Sequence, residues 1–347
     1  MTNYFLGSYI VTILGVIGAF IWGEHTHPGS GLASVFIVLV LAVLETSLSF
    51  DNAVVNAMKL EKMSDVWRHR FLTWGIAIAV FGMRFLFPVL VVSIFAHLDM
   101  VTVTKIAISD SQKYASYLQA THAPIVTFGG MFLIMLFLNY FFNHEKEVHW
   151  IKVIEKHLSK LDHIRGIEVL ISLLMLMVVQ SFIPTEEKLA VVLSGMAGVM
   201  TYLAIDGLAN FLEEHEKIRE AQCVTNCAQS AGLISFIYLE MIDASFSLDG
   251  VLGAFALSND IIIITIGLAI GAMFVRSLTI LLVEKKTLAQ FLYLEHGAHW
   301  AIGALAVIML VTTVREVPEV VTGLIGLVFI VSALVSSILH NKKVSQN

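Results

Sequence analysis

Apolar runs of about 20 residues follow one another along most of the chain, and they predict an all-α polytopic membrane protein with about ten transmembrane helices. The first run, residues 2–23, contains no charged residue and is long enough to cross a ~30 Å hydrocarbon core. It lacks the basic start and small-residue cleavage site of a signal peptide, so a retained helix is predicted. The predicted spans are 4–23, 32–58, 71–95, 123–142, 166–183, 188–212, 229–257, 260–283, 298–314 and 320–340.

The basic residues between these spans predict an orientation. If the N-terminus is cytoplasmic, fifteen of the 21 Lys and Arg residues fall in cytoplasmic loops or the C-terminal tail, and four fall outside. This bias follows the positive-inside rule and predicts that both termini are cytoplasmic. The ninth span is short, and a nine-span alternative would move the C-terminus across the membrane. Without a targeting peptide, the bias predicts a bacterial inner membrane.

Composition agrees with the membrane prediction and excludes one class of partner. The chain is 57% hydrophobic and 14% charged, with a mean hydropathy of +0.83, whereas soluble domains carry about 25% charged residues. A net charge of -6 argues against nucleic acid as a partner, because phosphate binding needs a basic excess. Three residues separate Cys223 from Cys227, which is neither a redox nor a zinc spacing, so ordinary thiols are predicted.

The cytoplasmic loop 143–165 is long enough to hold structure of its own. Its apolar residues recur at helical spacing and predict an amphipathic helix on the membrane surface. The loop also contains four histidines, for which a solvated surface is the favoured interpretation over metal binding. The outside segment 99–122 is also polar and amphipathic, and its sequence assigns it no role.

A polar motif interrupts two of the predicted spans. Residues 45–52 read ETSLSFDN and residues 243–250 read DASFSLDG, so both follow the pattern acid-x-Ser-x-Ser-x-Asp. Similar sequences follow each motif, because Arg84 lies nine positions after Gly75 and Arg276 lies nine positions after Gly267. The corresponding motif positions are Glu45 and Asp243, Ser47 and Ser245, Ser49 and Ser247, and Asp51 and Asp249.

The two copies are predicted to run in opposite directions through the membrane. The first lies on span 2, from outside to inside, and the second on span 7, from inside to outside. An inverted repeat of this kind is typical of secondary transporters, whose substrate site lies where the repeats meet. The chain therefore divides into an N-terminal half, 1–183, and a C-terminal half, 184–347.

The paired motifs, the first of which is followed by Asn52, resemble those of the TerC family of integral membrane proteins, in the LysE-like exporter superfamily. The likeness is specific for spans 2–3 and 7–8. It implies a role in the export of manganese and related divalent cations and an association with tellurium resistance. By this resemblance the functional positions are Glu45, Asp51, Asn52, Asp243 and Asp249.

The chemistry of the buried polar residues is consistent with a cation site. A charge at mid-bilayer costs roughly 2.5 to 3.5 kcal/mol, so each such residue suggests a function. The six acids predicted to lie within the bilayer away from the span ends outnumber Arg84 and Arg276, and protons or cations must neutralise the excess; these acids are Glu45, Asp51, Asp206, Glu240, Asp243 and Asp249. Oxygen ligands suit Mg²⁺, Ca²⁺ or Mn²⁺. The predicted metal ligands are Glu45, Asp51, Asn52, Asp243, Asp249, Ser49 and Ser247, and candidate coupling or ion-pair residues are Glu240, Asp206, Arg84 and Arg276.

The conformation of the motif is left open by the sequence. On a continuous helix Glu45 and Asp51 face different directions, whereas strict polar alternation is typical of an extended chain. Neither motif contains proline, which favours a continuous or mildly kinked helix. A structural alternative for the arginines is that Arg84 and Arg276 each bridge to one carboxylate.

These observations favour a non-enzymatic secondary exporter of a divalent cation, with Mn²⁺ first, in exchange for protons. No permanent cofactor is expected. The partners are the lipid bilayer, the cation and protons. One alternative is a membrane metalloenzyme, suggested by Glu295, His296 and His299 in LEHGAHW, although the E-H-x-x-H order is not that of a zinc protease. Another is a partner-dependent membrane scaffold with buried ion pairs.

Overall fold

The computed structural model describes residues 2–61, 63–75, 78–95, 98–142, 148–160, 164, 166–220, 233, 235–243, 254, 257–258, 260–284, 291–315 and 317–344. Every regular element among them is helical. In chain order these elements are α1 (Thr2–Thr26), α2 (Gly31–Leu48), α3 (Phe50–Glu61), α4 (Asp65–Arg70), two π-helical segments (Phe71–Gly75 and Ile78–Leu86), α5 (Phe87–Phe95), α6 (Met100–Ser109), α7 (Ser111–Ala120), α8 (His122–Phe142), α9 (Lys152–Leu158), α10 (Ile167–Ser181), α11 (Lys188–Glu220), α12 (235–243), α13 (Ile261–Glu284), α14 (Leu294–Thr312) and α15 (Glu319–Val344).

Among the described residues, six single helices are long and apolar enough to cross a membrane, and they lie in α1, α8, α11, α13, α14 and α15. A seventh span results if α2 and α3 are counted together. The prediction of a multi-pass helical membrane protein is therefore confirmed. Predicted span 5 corresponds to α10, which has only 15 residues, and predicted span 229–257 lies largely outside the described residues.

Predicted span 2 is broken at the motif. Its two parts, Gly31–Ser47 and Asn52–Glu61, meet at an angle of 52°. The preference for a continuous or mildly kinked helix is therefore wrong for the first motif, whereas residues 244–250 of the second lie outside the described residues. The hydroxyls of Thr46 and Ser47 donate to the carbonyls four residues earlier, at 2.7 and 2.8 Å. Such bonds bend helices without proline.

Helix α13 packs against α1, α2 and α3, and two of its glycines make the contact with α2 close. A Cβ at Gly267 would lie 2.6 Å from the Cβ of Leu41, and one at Gly271 would lie 2.5 Å from the Cβ of Glu45. Residues 267 and 271 of α13 contact residues 41 and 45 of α2 in the same order along both helices, so α13 is parallel to α2. These glycines therefore serve close helix packing.

Replacing Gly271 with Ala is expected to destabilise the protein by about 1–3 kcal/mol, because the added methyl group overpacks the contact with Glu45. Gly18 in α1 is the matched control, since a Cβ there would meet nothing within 4 Å. Thermal unfolding of both purified variants in detergent measures the effect. Equal melting temperatures for Gly271→Ala and Gly18→Ala would contradict the packing described.

A second group of helices surrounds α8, which is buried along most of its length. Ser172 of α10 donates to the sulfur of Met135 in α8 at 3.1 Å. Leu176 of α10 lies near Thr127 of α8, because a Cβ at Gly195 would contact both of these side chains. Helix α10 is therefore antiparallel to α8. Trp300 of α14 contacts Phe141 of α8, and Leu310, further along α14, lies against Gly130, which comes earlier in α8. Helix α14 is therefore antiparallel to α8 as well.

Two regions outside the spans also have defined structure. Helices α6 and α7 begin at the capping residues Asp99 and Asp110, and their buried Tyr114 packs in one cluster with Ile125 of α8 and Ile261 of α13. The segment 99–122 thus covers the first turns of two spans. The amphipathic helix predicted for 143–165 is shorter than expected, because α9 has seven residues, and 143–147, 161–163 and 165 lie outside the described residues.

Candidate functional site: a buried acidic cavity

A buried cavity of about 50 Å³ lies where α3, α12, α13 and the two π-helical segments meet. We call it the central cavity. Its volume exceeds that needed for one water molecule. The polar residues that line it come from both halves of the chain. They are Asn56, Arg84, Glu240, Asp243, Arg276 and Thr279.

The first motif acid lies beside this cavity in an ion pair. The guanidinium of Arg84 donates to Oε1 of Glu45, and both side chains are 3% exposed. The hydroxyl of Ser49 donates to the same oxygen at 3.1 Å. The bridge predicted as a structural alternative is therefore present for Arg84. It links the broken span directly to the second π-helical segment.

The two motifs contact each other directly. Nδ2 of Asn52 donates to Oδ1 of Asp243 at 2.5 Å, across 191 positions of the chain. Asn52 and Asp243 are 3% and 8% exposed. The structure thus brings the last residue of ETSLSFDN to the first residue of DASFSLDG.

Glu240 differs from Glu45 and Asp243 because it has no hydrogen-bond or ion-pair partner among the described residues. It is 7% exposed, and neither carboxylate oxygen has a hydrogen-bond partner among the described residues. Gly75 makes room for the carboxylate of Glu240, because a Cβ at position 75 would lie 2.7 Å from Oε1 of Glu240. A buried carboxylate without a partner is costly unless it binds a proton or a cation.

Gly75 and Arg84 lie in two separate π-helical segments, Phe71–Gly75 and Ile78–Leu86. Turns of this kind are rare and often occur at functional sites. The carbonyl of Leu72, in the first π-helical segment, accepts a hydrogen bond from the guanidinium of Arg276. The carboxylate bridge predicted for Arg276 is therefore replaced, within the described part of the chain, by a backbone contact.

The charges of the described cavity do not balance. Glu45, Glu240 and Asp243 carry three potential negative charges, and the two arginines carry two positive charges. One proton or one positive charge is therefore needed for neutrality. The sequence predicts four more acids than arginines, whereas the excess among the described residues of the cavity is one. Asp206 lies elsewhere, and the side chains of Asp51 and Asp249 are outside the described structure.

The remaining predicted residues are dispersed. Asp51 lies in α3, but its side chain is outside the described structure, and Ser247 and Asp249 lie wholly outside it. Asp206 accepts hydrogen bonds from Asn139 at 3.3 Å and from Asn210 at 3.1 Å. It does not line the central cavity.

Two polar residues of the cavity were not predicted. Asn56 is 6% exposed and lies one helical turn after Asn52. This spacing on a buried face was a usable signal. Thr279 is 3% exposed and donates to the carbonyl of Val275 at 3.0 Å, and its sequence context gave no such signal.

The residues of LEHGAHW form a different arrangement from a zinc site. Nδ1 of His296 is 3.0 Å from Oε2 of Glu155, and Nδ1 of His299 is 2.8 Å from the carbonyl of Glu295. The His299 ring stacks on Tyr140 with centroids 3.4 Å apart. Within the described residues, no group of three or more His, Cys, Asp or Glu side chains is arranged to hold a metal ion.

Glu155 anchors α9 to the bundle. It is 2% exposed and accepts from Nε1 of Trp300 at 3.0 Å and from the backbone N–H of Ile151 at 3.1 Å. Burial alone would raise the pKa of Glu155, but hydrogen bonds from His296, Trp300 and Ile151 outweigh it and lower the pKa from 4.5 to about 2. The ionised carboxylate therefore stabilises the anchor above about pH 4.5, and this contribution is lost as the pH falls towards 2.

We expect the protection of residues 148–158 from hydrogen exchange, corrected for the intrinsic pH dependence, to stay constant between about pH 5 and pH 8. Glu155→Gln should accelerate exchange there by about tenfold or more, because it removes charge-assisted hydrogen bonds. Glu186→Gln, at an exposed acid between α10 and α11, is the matched control. Protection that falls steadily from pH 8 to pH 5 would contradict the anchor.

These features define a multi-pass helical membrane protein with a buried acidic cavity between its halves. The chain belongs to the DUF475 family, because the family model, described as a protein of unknown function, matches residues 50–344. No curated protein and no solved structure matches the chain.

Proposed function

We propose that this protein is a secondary transporter that exports a divalent metal cation, with Mn²⁺ as the first substrate to test, in exchange for protons. The central cavity and the two motifs form its site. The likeness of the motifs to the TerC family supports the substrate class. A bacterial inner membrane with both termini cytoplasmic is part of the proposal, supported by the distribution of Lys and Arg.

The observation that carries the proposal is the buried carboxylate of Glu240, one helical turn from Asp243, which has no hydrogen-bond partner among the described residues. In the conformation described, a proton on Glu240 neutralises the cavity. Loss of that proton and of a second one, from Asp51 or Asp249, would leave two negative charges that one divalent cation compensates. Exchange of two protons for one divalent cation at a shared buried site is the basis of the proposed antiport.

The donor set suits a hard divalent cation. The residues around the cavity supply carboxylate, amide and hydroxyl oxygens, which Mg²⁺, Ca²⁺ and Mn²⁺ prefer. The pairing of Glu45 with Arg84 and of Asp243 with Asn52 keeps two acids occupied in this conformation. We propose that cation binding opens one of these pairs and that Asp51 and Asp249 complete the ligand set.

The ten-span topology and the inverted repeat belong to the same proposal. Helix α13 is parallel to α2, and α10 and α14 are both antiparallel to α8, as the ten-span order requires. Arg84 and Arg276 occupy corresponding positions in the two repeats, and both line the central cavity. This arrangement supports a repeat axis that passes near the cavity.

Flux of Mn²⁺ into proteoliposomes that contain a metal-quenched dye tests this proposal. Wild-type protein should carry Mn²⁺ at a rate that depends on the pH gradient, and Asp51→Asn and Asp249→Asn should each abolish this flux. Glu186→Gln should leave it unchanged. If wild-type protein carries no divalent cation, or if both aspartate variants transport normally, the transporter proposal fails and a scaffold with buried ion pairs becomes the better account.

A further inference from the structure

We propose that the apolar groove between α10 and α14 binds one phospholipid, with an acyl chain along the groove and the phosphate on Arg315. The groove has a volume of about 530 Å³, within the range of pockets that hold drug-sized ligands. Arg315 lies at the groove, and its other ten lining residues are apolar.

The length of the groove matches one leaflet. On α10 the groove runs from Ile171 to Phe182, which is about 17 Å at the rise of an α-helix. Half of a ~30 Å hydrocarbon core is close to this length. Because α10 and α14 are both antiparallel to α8, they end on the same side, so Phe182 and Arg315 mark the same end of the groove.

The charge at that end complements a phosphate. Arg315 is exposed and lies three residues after the end of α14. A guanidinium binds phosphate through paired hydrogen bonds. The loop between α10 and α11 carries Glu186 and Glu187, and α11 begins at Lys188. The residues at this end therefore do not favour a net anionic headgroup, and the contact that we assign is to the phosphate itself.

The shape of the groove separates this site from ordinary lipid contact. Exposed apolar side chains such as Met200 and Val331 occur along the outer helices, but Leu310 of the groove is 3% exposed. The groove thus reaches inward to a buried core residue. An acyl chain placed there is enclosed on two sides by helices.

Native mass spectrometry tests the site. The protein would be reconstituted with equal parts of phosphatidylethanolamine and phosphatidylglycerol, extracted into detergent and measured for retained lipid. Wild-type protein should retain one phospholipid of either kind. Arg315→Gln should lower retention by about tenfold, the effect of losing one charge-assisted hydrogen bond, and Val311→Trp should lower it by filling the groove.

Two matched variants serve as controls. Lys188→Gln removes a positive charge from the same side, and Val331→Trp adds an indole at a residue that is, like Val311, 45% exposed. Both should retain lipid as the wild-type protein does. Equal retention in Val311→Trp and Val331→Trp would overturn the proposal. Crosslinks between two copies through cysteines placed in the groove, in membranes, would also overturn it, because a second copy would then occupy the groove.

Discussion

Glu240→Gln is expected to reduce pH-driven Mn²⁺ flux by at least about tenfold, which corresponds to about 1.4 kcal/mol in a rate. Glutamine has nearly the same volume as glutamate but cannot exchange a proton, so it fixes the cavity in its neutral form. The residual flux should not respond to the pH gradient. Initial rates in proteoliposomes, with and without the gradient, measure both effects.

Gly75→Ala provides an independent test of the same carboxylate. The alanine Cβ would lie 2.7 Å from Oε1 of Glu240, so the carboxylate must move while its chemistry is kept. Flux should fall but should stay dependent on pH. Glu186→Gln should behave as the wild-type protein. Flux in Glu240→Gln that matches the wild type in rate and pH response would remove Glu240 from the site.

Glu45→Leu is expected to lower the free energy of unfolding by about 3–5 kcal/mol. Arg84 is 3% exposed, and the substitution leaves its buried charge without its carboxylate. The double variant Glu45→Leu/Arg84→Met should recover most of this loss, because a buried ion pair can often be replaced by apolar side chains at little cost. Thermal unfolding in one detergent measures all three proteins.

The same double variant separates stability from transport. If Glu45 takes part in cation binding, the folded double variant should still lack Mn²⁺ flux. Normal flux in that protein would show that the pair only stabilises the fold, as the scaffold alternative requires. A single variant as stable as the wild type would contradict the ion pair itself.

The sequence predicted the class of fold and several residues of the cavity, because charge and polar spacing are unusual within apolar runs. Glu240 and Asp243 in the cavity lining, and Glu45 and Asn52, which pair with Arg84 and Asp243, are all predicted in this way. Their pairings could not be predicted, because a contact such as that between Asn52 and Asp243 joins positions 191 residues apart. Local patterns contain no information about which of several acids a distant arginine will meet.

The shape of the helices was also beyond the sequence. The 52° break arises without proline, where two hydroxyls bond to backbone carbonyls next to a buried ion pair. The π-helical segments likewise have an ordinary apolar sequence. It is this backbone, together with Gly75, that leaves Glu240 without a partner among the described residues, so the property most relevant to transport depends on tertiary structure.

The central claim is that cation movement and proton movement share the central cavity. It is tested most directly by adding Mn²⁺ to weakly buffered proteoliposomes and recording the pH and the metal inside the vesicles together. We predict that protons leave as Mn²⁺ enters, and that Glu240→Gln abolishes the proton signal. Entry of Mn²⁺ through wild-type protein with no movement of protons would contradict the account.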